Sequence, residues 1–246
     1  MQTLDATATD VQLATEIGPT PDRVVERYLR ADDWQLFEKE FIYRKFAPED
    51  KTWVDFGCGT GEITAQLAIL GANRVIAIDA VPELIEMTQQ RAILDHVDDR
   101  VTVLCDEIRY LRPEPADIVL SFAVLHHLVD KLGEVIPIIK GWIKRGGAFI
   151  CVEPVSYSGT LDWLRNHCGV PFQPLDPGER KLTEADLRLI ESNFARSERT
   201  HFRVLSRLEK LYPNAARLLR KFDRTVLAFG PMTHFAGTVV LACFVD

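Results

Sequence analysis

The feature that most constrains this chain is a regular alternation of short apolar strands with helical stretches between residues 50 and 154. Trp53-Val54-Asp55-Phe56 reads as a strand running into a glycine cluster, and Ile63 to Leu70 as a helix stopped by Gly71. Val75 to Ile78 is a strand ending at Asp79, followed by a helix that opens on Pro82 and runs to about Asp95. Val101 to Leu104 and Ile118 to Leu120 are two further strands, the first ending at Asp106. A helix is expected from about Lys131 to Lys144, kinked at Pro137. Gly146-Gly147 then turns into the strand Ala148 to Val152. Strands apolar on both faces belong to a parallel sheet covered on both sides, and right-handed crossovers wind such a sheet doubly.

The flanks are less regular. Residues 1–20 are rich in Thr, Asp and Ala and read as a mobile tail with neither a basic start nor an apolar run. Residues 21–48 carry apolar residues at helical spacing and form a helical cap, in which Tyr28 and Trp34 are candidates to close over a ligand. Residues 155–230 bring loops, a short helix around Leu161 to His167 and a helix capped by Thr183. They also bring a strand over Glu198 to Leu205 and an amphipathic helix from Asn214 to Ala228. That last helix gathers Ala215, Leu218, Leu219, Phe222 and Val226 on one face. Residues 234–246 supply a closing strand, and 21–246 are expected to be one domain.

The chemistry centres on Val54-Asp55-Phe56-Gly57-Cys58-Gly59-Thr60-Gly61-Glu62. Glycines between a strand and a helix allow positive φ and let backbone N–H groups approach a ligand. A dinucleotide fingerprint needs its third glycine where this chain has Glu62, and a carboxylate there competes with a pyrophosphate for the helix N-terminus. A phosphate-binding Gly-Lys-Ser/Thr sequence is absent from the loop. Asp79, at the next strand end, is placed to accept from two ribose hydroxyls, which on its own fits NAD equally well, and Asp106, at the third, from an adenine amino group.

Together VDFGCGTGEIT, VIAIDAVPELIE, the acidic CDE after the third strand, ADIVLSFAVLHHL and GGAFICVEP resemble the class I S-adenosylmethionine-dependent methyltransferases. The branch most similar holds the ubiquinone/menaquinone-type and small-molecule natural-product enzymes. The resemblance spans Asp50 to Pro154. It implies an α/β fold, a doubly wound Rossmann-like seven-stranded sheet with the last strand antiparallel and helices on both faces. It implies S-adenosyl-L-methionine as cofactor and S-adenosyl-L-homocysteine as product. It puts Gly57, Gly59 and Gly61 around the methionine moiety, Asp79 on the ribose and Asp106 on adenine. Ala80 and Glu107 become adenine neighbours, and Phe122 a residue whose backbone meets the cofactor. Asp55 and Cys58 belong to the same loop motif and join the cofactor-binding set.

Methyl transfer asks the protein to align a nucleophile and exclude water, and a base is needed only for a protonated acceptor. His126 and His127, after the fourth strand, are the candidate bases, and Glu153 at the end of the fifth strand points to the same edge. Tyr157, His167 and His234 are weaker candidates. No metal site is expected. The five cysteines, Cys58, Cys105, Cys151, Cys168 and Cys243, show no paired spacing, and Cys105, Cys151 and Cys243 beside apolar runs read as core residues. That usage fits a reducing, cytoplasmic setting.

Net charge is −7, yet residues 199–224 carry eight basic residues against Glu209 and Asp223. This stretch is either a solvated helix face, a grip on an anionic or carrier-bound substrate, or a peripheral membrane contact through 203–228 suited to a lipid-like acceptor. A nucleic-acid partner is disfavoured by the overall charge. It is disfavoured also by Ser121-Phe122-Ala123-Val124, where base methyltransferases often carry an Asn/Asp-Pro-Pro-aromatic tetrapeptide. A small-molecule methyltransferase leads. A cofactor-binding module without turnover and an enzyme for a macromolecule remain as alternatives, and oligomeric state is unspecified.

Overall fold

The computed structural model describes residues 35–159 and 179–246. Seven strands form one sheet: β1 (Thr52–Phe56), β2 (Arg74–Asp79), β3 (Val101–Cys105), β4 (Ala116–Phe122), β5 (Ile143–Pro154), β6 (Arg196–Phe202) and β7 (Thr238–Phe244). Their spatial order is β3-β2-β1-β4-β5-β7-β6. β1 to β5 pair in parallel, and β7 runs antiparallel to both β5 and β6. The chain leaves β1 toward β2 and β3, then returns to the other side of β1 with β4. That reversal opens a crevice at the carboxyl ends of β1 and β4, where open α/β sheets bind ligands.

Helices cover both faces because β1 alternates its apolar side chains. Val54 and Phe56 pack with α4 (Leu132–Lys140) and α5 (Glu184–Glu191) through Leu132, Ile136, Leu187 and Ile190. Trp53 packs on the opposite face with α1 (Leu36–Phe46), α2 (Glu62–Ile69) and α3 (Pro82–Leu94) through Ile42, Leu67 and Ala92. The capping box expected at Thr183 is present: its hydroxyl oxygen accepts from Asp186 N–H while the Asp186 carboxylate accepts from Thr183 N–H.

Several expectations need correction. α4 ends at Lys140, not Lys144, because Ile143 already pairs with Ala116 as the first residue of β5; Pro137 lies inside the helix. Residues 144–147 then bulge out of the ladder at Gly146-Gly147 before pairing resumes at Ala148. β6 covers 196–202 rather than 198–205. Cys105 is exposed, since it closes β3 at the sheet edge, whereas Cys58, Cys151 and Cys243 are buried. The amphipathic helix, α6 (Ala216–Leu227), does not bury its apolar face: Leu218 is 69 % and Phe222 47 % exposed, and the residue it buries is Asp223. The tail over 1–20, Tyr28, Trp34, the helix around Leu161 to His167, and Cys168 lie outside the described residues.

Candidate active site

The glycine loop after β1 is shaped by three glycines with three different reasons. All have positive φ, 76° at Gly57, 54° at Gly59 and 79° at Gly61. A Cβ on Gly57 would lie 2.4 Å from a methyl of Val124, on the turn that follows β4. A Cβ on Gly61 would lie 2.8 Å from the Thr88 backbone in α3. At Gly59 nothing stands within 4 Å. The first and third glycines therefore let protein pack against the loop, and the middle one turns its bare α-carbon toward open space.

Hydrogen bonds hold that shape. Thr88 Oγ1 donates to Gly59 O at 2.9 Å, and Arg91 Nε donates to Thr60 O at 2.9 Å. Gly59 N–H donates to Asp79 Oδ2 at 3.0 Å, while Val81 N–H donates to Oδ1 at 3.0 Å. Each Asp79 oxygen thus holds one backbone donor and keeps acceptor capacity for another. Asp79 ends β2, the neighbour of β1, so its carboxylate and the open face of Gly59 stand side by side at the carboxyl edge. Beyond it Ala80 is exposed, and past the end of β3 so are Asp106 and Glu107. Asp106 Oδ1 accepts from Glu107 N–H at 2.7 Å, and the Glu107 carboxylate pairs with Arg109.

Asp55 lies beneath the loop rather than in it. It is buried, its Oδ2 accepts from Thr64 Oγ1 at 2.6 Å, and burial pushes its pKa up to about 6 against the opposing hydrogen bond from Thr64. Cys58 is buried too; its thiol lies 3.6 Å from Thr88 Oγ1, and burial raises its pKa far above the thiol range, so it packs the loop as a neutral group. Glu62, at the start of α2, pairs with the nearly buried Lys39 of α1, which ties α1 to the glycine loop.

On the other side of the crevice, Phe122 ends β4 and Ala123 takes φ 60°, a left-handed conformation unusual for alanine, with its N–H donating to Val152 O at 2.8 Å. Glu153 holds the turn that follows. Its Oε1 accepts from Val124 N–H at 2.8 Å and Leu125 N–H at 2.7 Å, and its Oε2 lies 2.8 Å from His126 Nδ1. Glu153 is completely buried with three partners, so it supports the turn and does not face a ligand as the sequence suggested. His126 is buried, His127 exposed, and their ring centroids are 4.0 Å apart. His127 Nδ1 bonds Glu179 across 52 residues of chain.

Tyr157 has other partners, its hydroxyl 2.7 Å from His201 Nε2 and its ring 5.7 Å from His234. Burial raises Tyr157 to about 12 and lowers His201 to about 4, so the phenol donates to a neutral imidazole. Residue-by-residue reading missed Thr88, Arg91, Ala123 and Glu179. The first two sit three apart on the α3 surface and carry a spacing signal. Glu179 carries none.

Part of the basic stretch is paired within the fold. Arg199 pairs with Glu184 and Glu191, Arg203 with buried Glu38, and Arg220 with Glu209, while Arg224 lies 5.3 Å from the Phe37 ring centroid. No described helix is long and apolar enough to cross a membrane.

Residues 54–151 match a family model described as "Methyltransferase domain". Over these residues the chain carries the signature of a methyltransferase domain. Among curated relatives, a ribosomal protein L11 methyltransferase of Vibrio cholerae serotype O1 (strain M66-2) is 34 % identical over 112 residues, 46 % of this chain. The matched stretch is 34 % of that relative, so the chain spans only about a third of its length. Among solved structures, the [4+2]-cyclase SpnF superposes with a TM-score of 0.59 at 16 % identity, covering 85 % of this chain and 81 % of that one. Magnesium protoporphyrin IX methyltransferase of Synechocystis PCC 6803 with bound SAH superposes at 0.56 and 17 % identity, covering 98 % and 95 %. At these identities the superpositions establish a shared fold. Within the methyltransferase domain, the open face of Gly59 and the spare acceptor capacity of Asp79 fit the cofactor the family uses.

Proposed function

We propose that this chain transfers the methyl group of S-adenosylmethionine to a small-molecule acceptor. The observation that carries the reading is the loop at Gly59: it alone of the three glycines faces open space, beside a carboxylate whose two oxygens each retain acceptor capacity. When bound, S-adenosylmethionine supplies an electrophilic methyl on a sulfonium and leaves as S-adenosylhomocysteine.

The loop from Gly57 to Gly61 would hold the methionine moiety and Asp79 the ribose. Ala80, Asp106, Glu107 and the Phe122 backbone would line the adenine side. Asp55 and Cys58 act from beneath the loop by fixing its floor. The turn from Ala123 to His127 packs on Gly57 through Val124, so His126 and His127 stand on the acceptor side. Glu153 is a positioning residue: its carboxylate orients His126 with Nδ1 as the donor, which leaves the Nε2 lone pair able to take an acceptor's proton. Residues 50–154 would then be the cofactor-binding core and 155–230 the acceptor side of a single domain.

A macromolecular acceptor is the second reading, favoured by the named activity of the L11 methyltransferase relative. The small-molecule reading is preferred because that similarity stops at about a third of the relative's length, whereas the magnesium protoporphyrin IX methyltransferase aligns over 98 % of this chain. A cofactor-binding module without turnover is the third, since the fold is shared by a protein named as a cyclase.

The test begins with calorimetric titration of S-adenosylhomocysteine into wild type and Asp79→Ala. One-to-one binding that the variant loses supports the cofactor site; absence of binding to folded wild type overturns it. Turnover of labelled S-adenosylmethionine against small acceptors and ribosomal proteins then separates the readings. Label on protein alone sinks the small-molecule assignment.

A further inference from the structure

We infer that His126, His127 and Glu179 form a binding site for a divalent transition metal of the zinc class, placed to take an oxygen of the methyl acceptor as an additional ligand. The inference deepens the proposed function and rests on it for the identity of that extra ligand; the metal site itself rests on geometry alone.

One ligand atom from each of the three side chains lies within 4.8 Å of the other two. Around a tetrahedral ion with bonds of about 2.1 Å, donor atoms stand roughly 3.4 Å apart, so small side-chain rotations close the set. Two imidazoles and one carboxylate are the donor chemistry of zinc and neighbouring transition metals, not of magnesium or calcium, which take oxygen ligands. The two ring centroids lie 4.0 Å apart, tilted by 37°, on consecutive residues of one short turn, Leu125–His127.

A second, independent observation points the same way. A metal-binding histidine almost always donates its other ring nitrogen to a carboxylate or carbonyl, which fixes the tautomer and raises the basicity of the ligating nitrogen. Glu153 does this for His126. It is fully buried, is anchored by two backbone N–H groups and meets Nδ1 at 2.8 Å, so Nε2 is the ring nitrogen left for an ion. Such a buried carboxylate is a costly way to hold a histidine that merely fills space. His127 and Glu179, already bonded to each other, are exposed and half-buried, so an ion can reach the site by inserting between them.

Three protein ligands leave a position open, as in catalytic rather than structural metal sites. The turn that carries both histidines packs on Gly57 through Val124, which brings the site beside the glycine loop. An acceptor hydroxyl bound there loses its proton to solvent more readily, since a divalent cation lowers the pKa of an oxygen it holds. The acceptor class is therefore a small molecule with a metal-binding hydroxyl or carboxylate. The same Nε2 cannot serve as free base and metal ligand together, so loading the site removes His126 from proton transfer.

The test uses full-length protein without a histidine tag, stripped with chelator and dialysed. Zn²⁺ is titrated calorimetrically, and Co²⁺ is followed by its visible absorption. The expected result is one ion per chain, with affinity at least 10-fold weaker in His127→Ala and in Glu179→Gln and lost in the double variant. Both positions are accessible, so the variants should fold; S-adenosylhomocysteine titration of each checks this. No saturable ion in wild type, or unchanged binding in the double variant, overturns the site. Metal binding without S-adenosylhomocysteine binding would keep the site and remove the methyl-transfer reading; the reverse would do the opposite.

Discussion

The middle of the sheet and its β6 edge use buried polar groups differently. Around β1, β2 and β4, buried or half-buried side chains hold a loop open: Asp79, Thr88 and Arg91 support the glycine turn from below and beside, and Glu153 supports the facing turn. Around β6 and α6, they hold the chain shut on itself. Arg203, at φ 67°, is buried against Glu38, and Asp223 accepts from the N–H groups of Val204, Leu205 and Ser206 at 2.7–3.0 Å. One region spends its polarity on a ligand space and the other on its own backbone. Substitutions should therefore separate the two, by cofactor affinity in the first and by stability alone in the second.

The largest effect is expected at Gly61. Alanine there must adopt φ 79° and place a Cβ 2.8 Å from the Thr88 backbone, which cannot retreat as a side-chain tip could. Left-handed strain of about 1–2 kcal/mol adds to overpacking of about 1–3 kcal/mol, so Gly61→Ala should lose roughly 2–5 kcal/mol. It should also weaken S-adenosylhomocysteine binding beyond calorimetric detection. Gly230, in the other region, meets nothing within 4 Å, and Gly230→Ala should change stability by less than about 0.5 kcal/mol. Equal effects at the two positions would erase the contrast.

Asp223→Ala comes next. Removing this carboxylate leaves three N–H groups without their acceptor, at about 1–3 kcal/mol each before water replaces part of the loss. A net destabilisation of about 2–4 kcal/mol is expected in urea, with S-adenosylhomocysteine affinity within twofold of wild type. A large loss of affinity would show that the 203–223 region reaches the cofactor site.

What was legible in the sequence follows the same division. In the core, each signal is local: three glycines within five residues, and an acid 22 residues after the first of them at the next strand end. Strand periodicity brings those positions to one edge without further information. The role of Glu153 was misread because a buried carboxylate at a strand end looks, in sequence, like one facing a ligand. In the C-terminal region the decisive pairs are non-local. Glu38 and Arg203 are 165 residues apart, and no spacing rule connects them. The apolar stripe of α6 has the period of a buried face, yet Asp223 on the same helix is what docks, since a carboxylate reaching three N–H groups fixes the helix's rotation.

Asp55 offers a subtler test within the core. Burial raises its carboxyl to about 6, against an unfolded value near 3.8. The folded state therefore keeps a proton that the unfolded chain has lost between these values, so the contribution of Asp55 is fully present below pH 4 and declines as pH rises through 6. At about 1.36 kcal/mol per unit, the loss is on the order of 2–3 kcal/mol. Asp55→Asn removes the titration. Its stability relative to wild type should rise from pH 4 to pH 7 and then level off, as read from urea midpoints at each pH. A flat difference across that range would mean that Thr64 and the loop stabilise the ionised carboxylate as well as water does.

The smallest effect is expected on the exposed face of α6. Leu218 and Phe222 are 69 % and 47 % exposed, so replacing either by serine removes little apolar surface from burial. Stability should stay within about 0.5 kcal/mol of wild type for each variant, and within about 1 kcal/mol for the pair. The contrast with Asp223, one position from Phe222, is what makes the measurement informative. If the helix is held by its carboxylate, the polar change is severe and the two apolar changes are silent. If instead Phe222→Ser costs more than about 1.5 kcal/mol, this face is covered in solution. The C-terminal region would then have an apolar core of its own, and its closure would rest on hydrophobic burial as the core around β1 does.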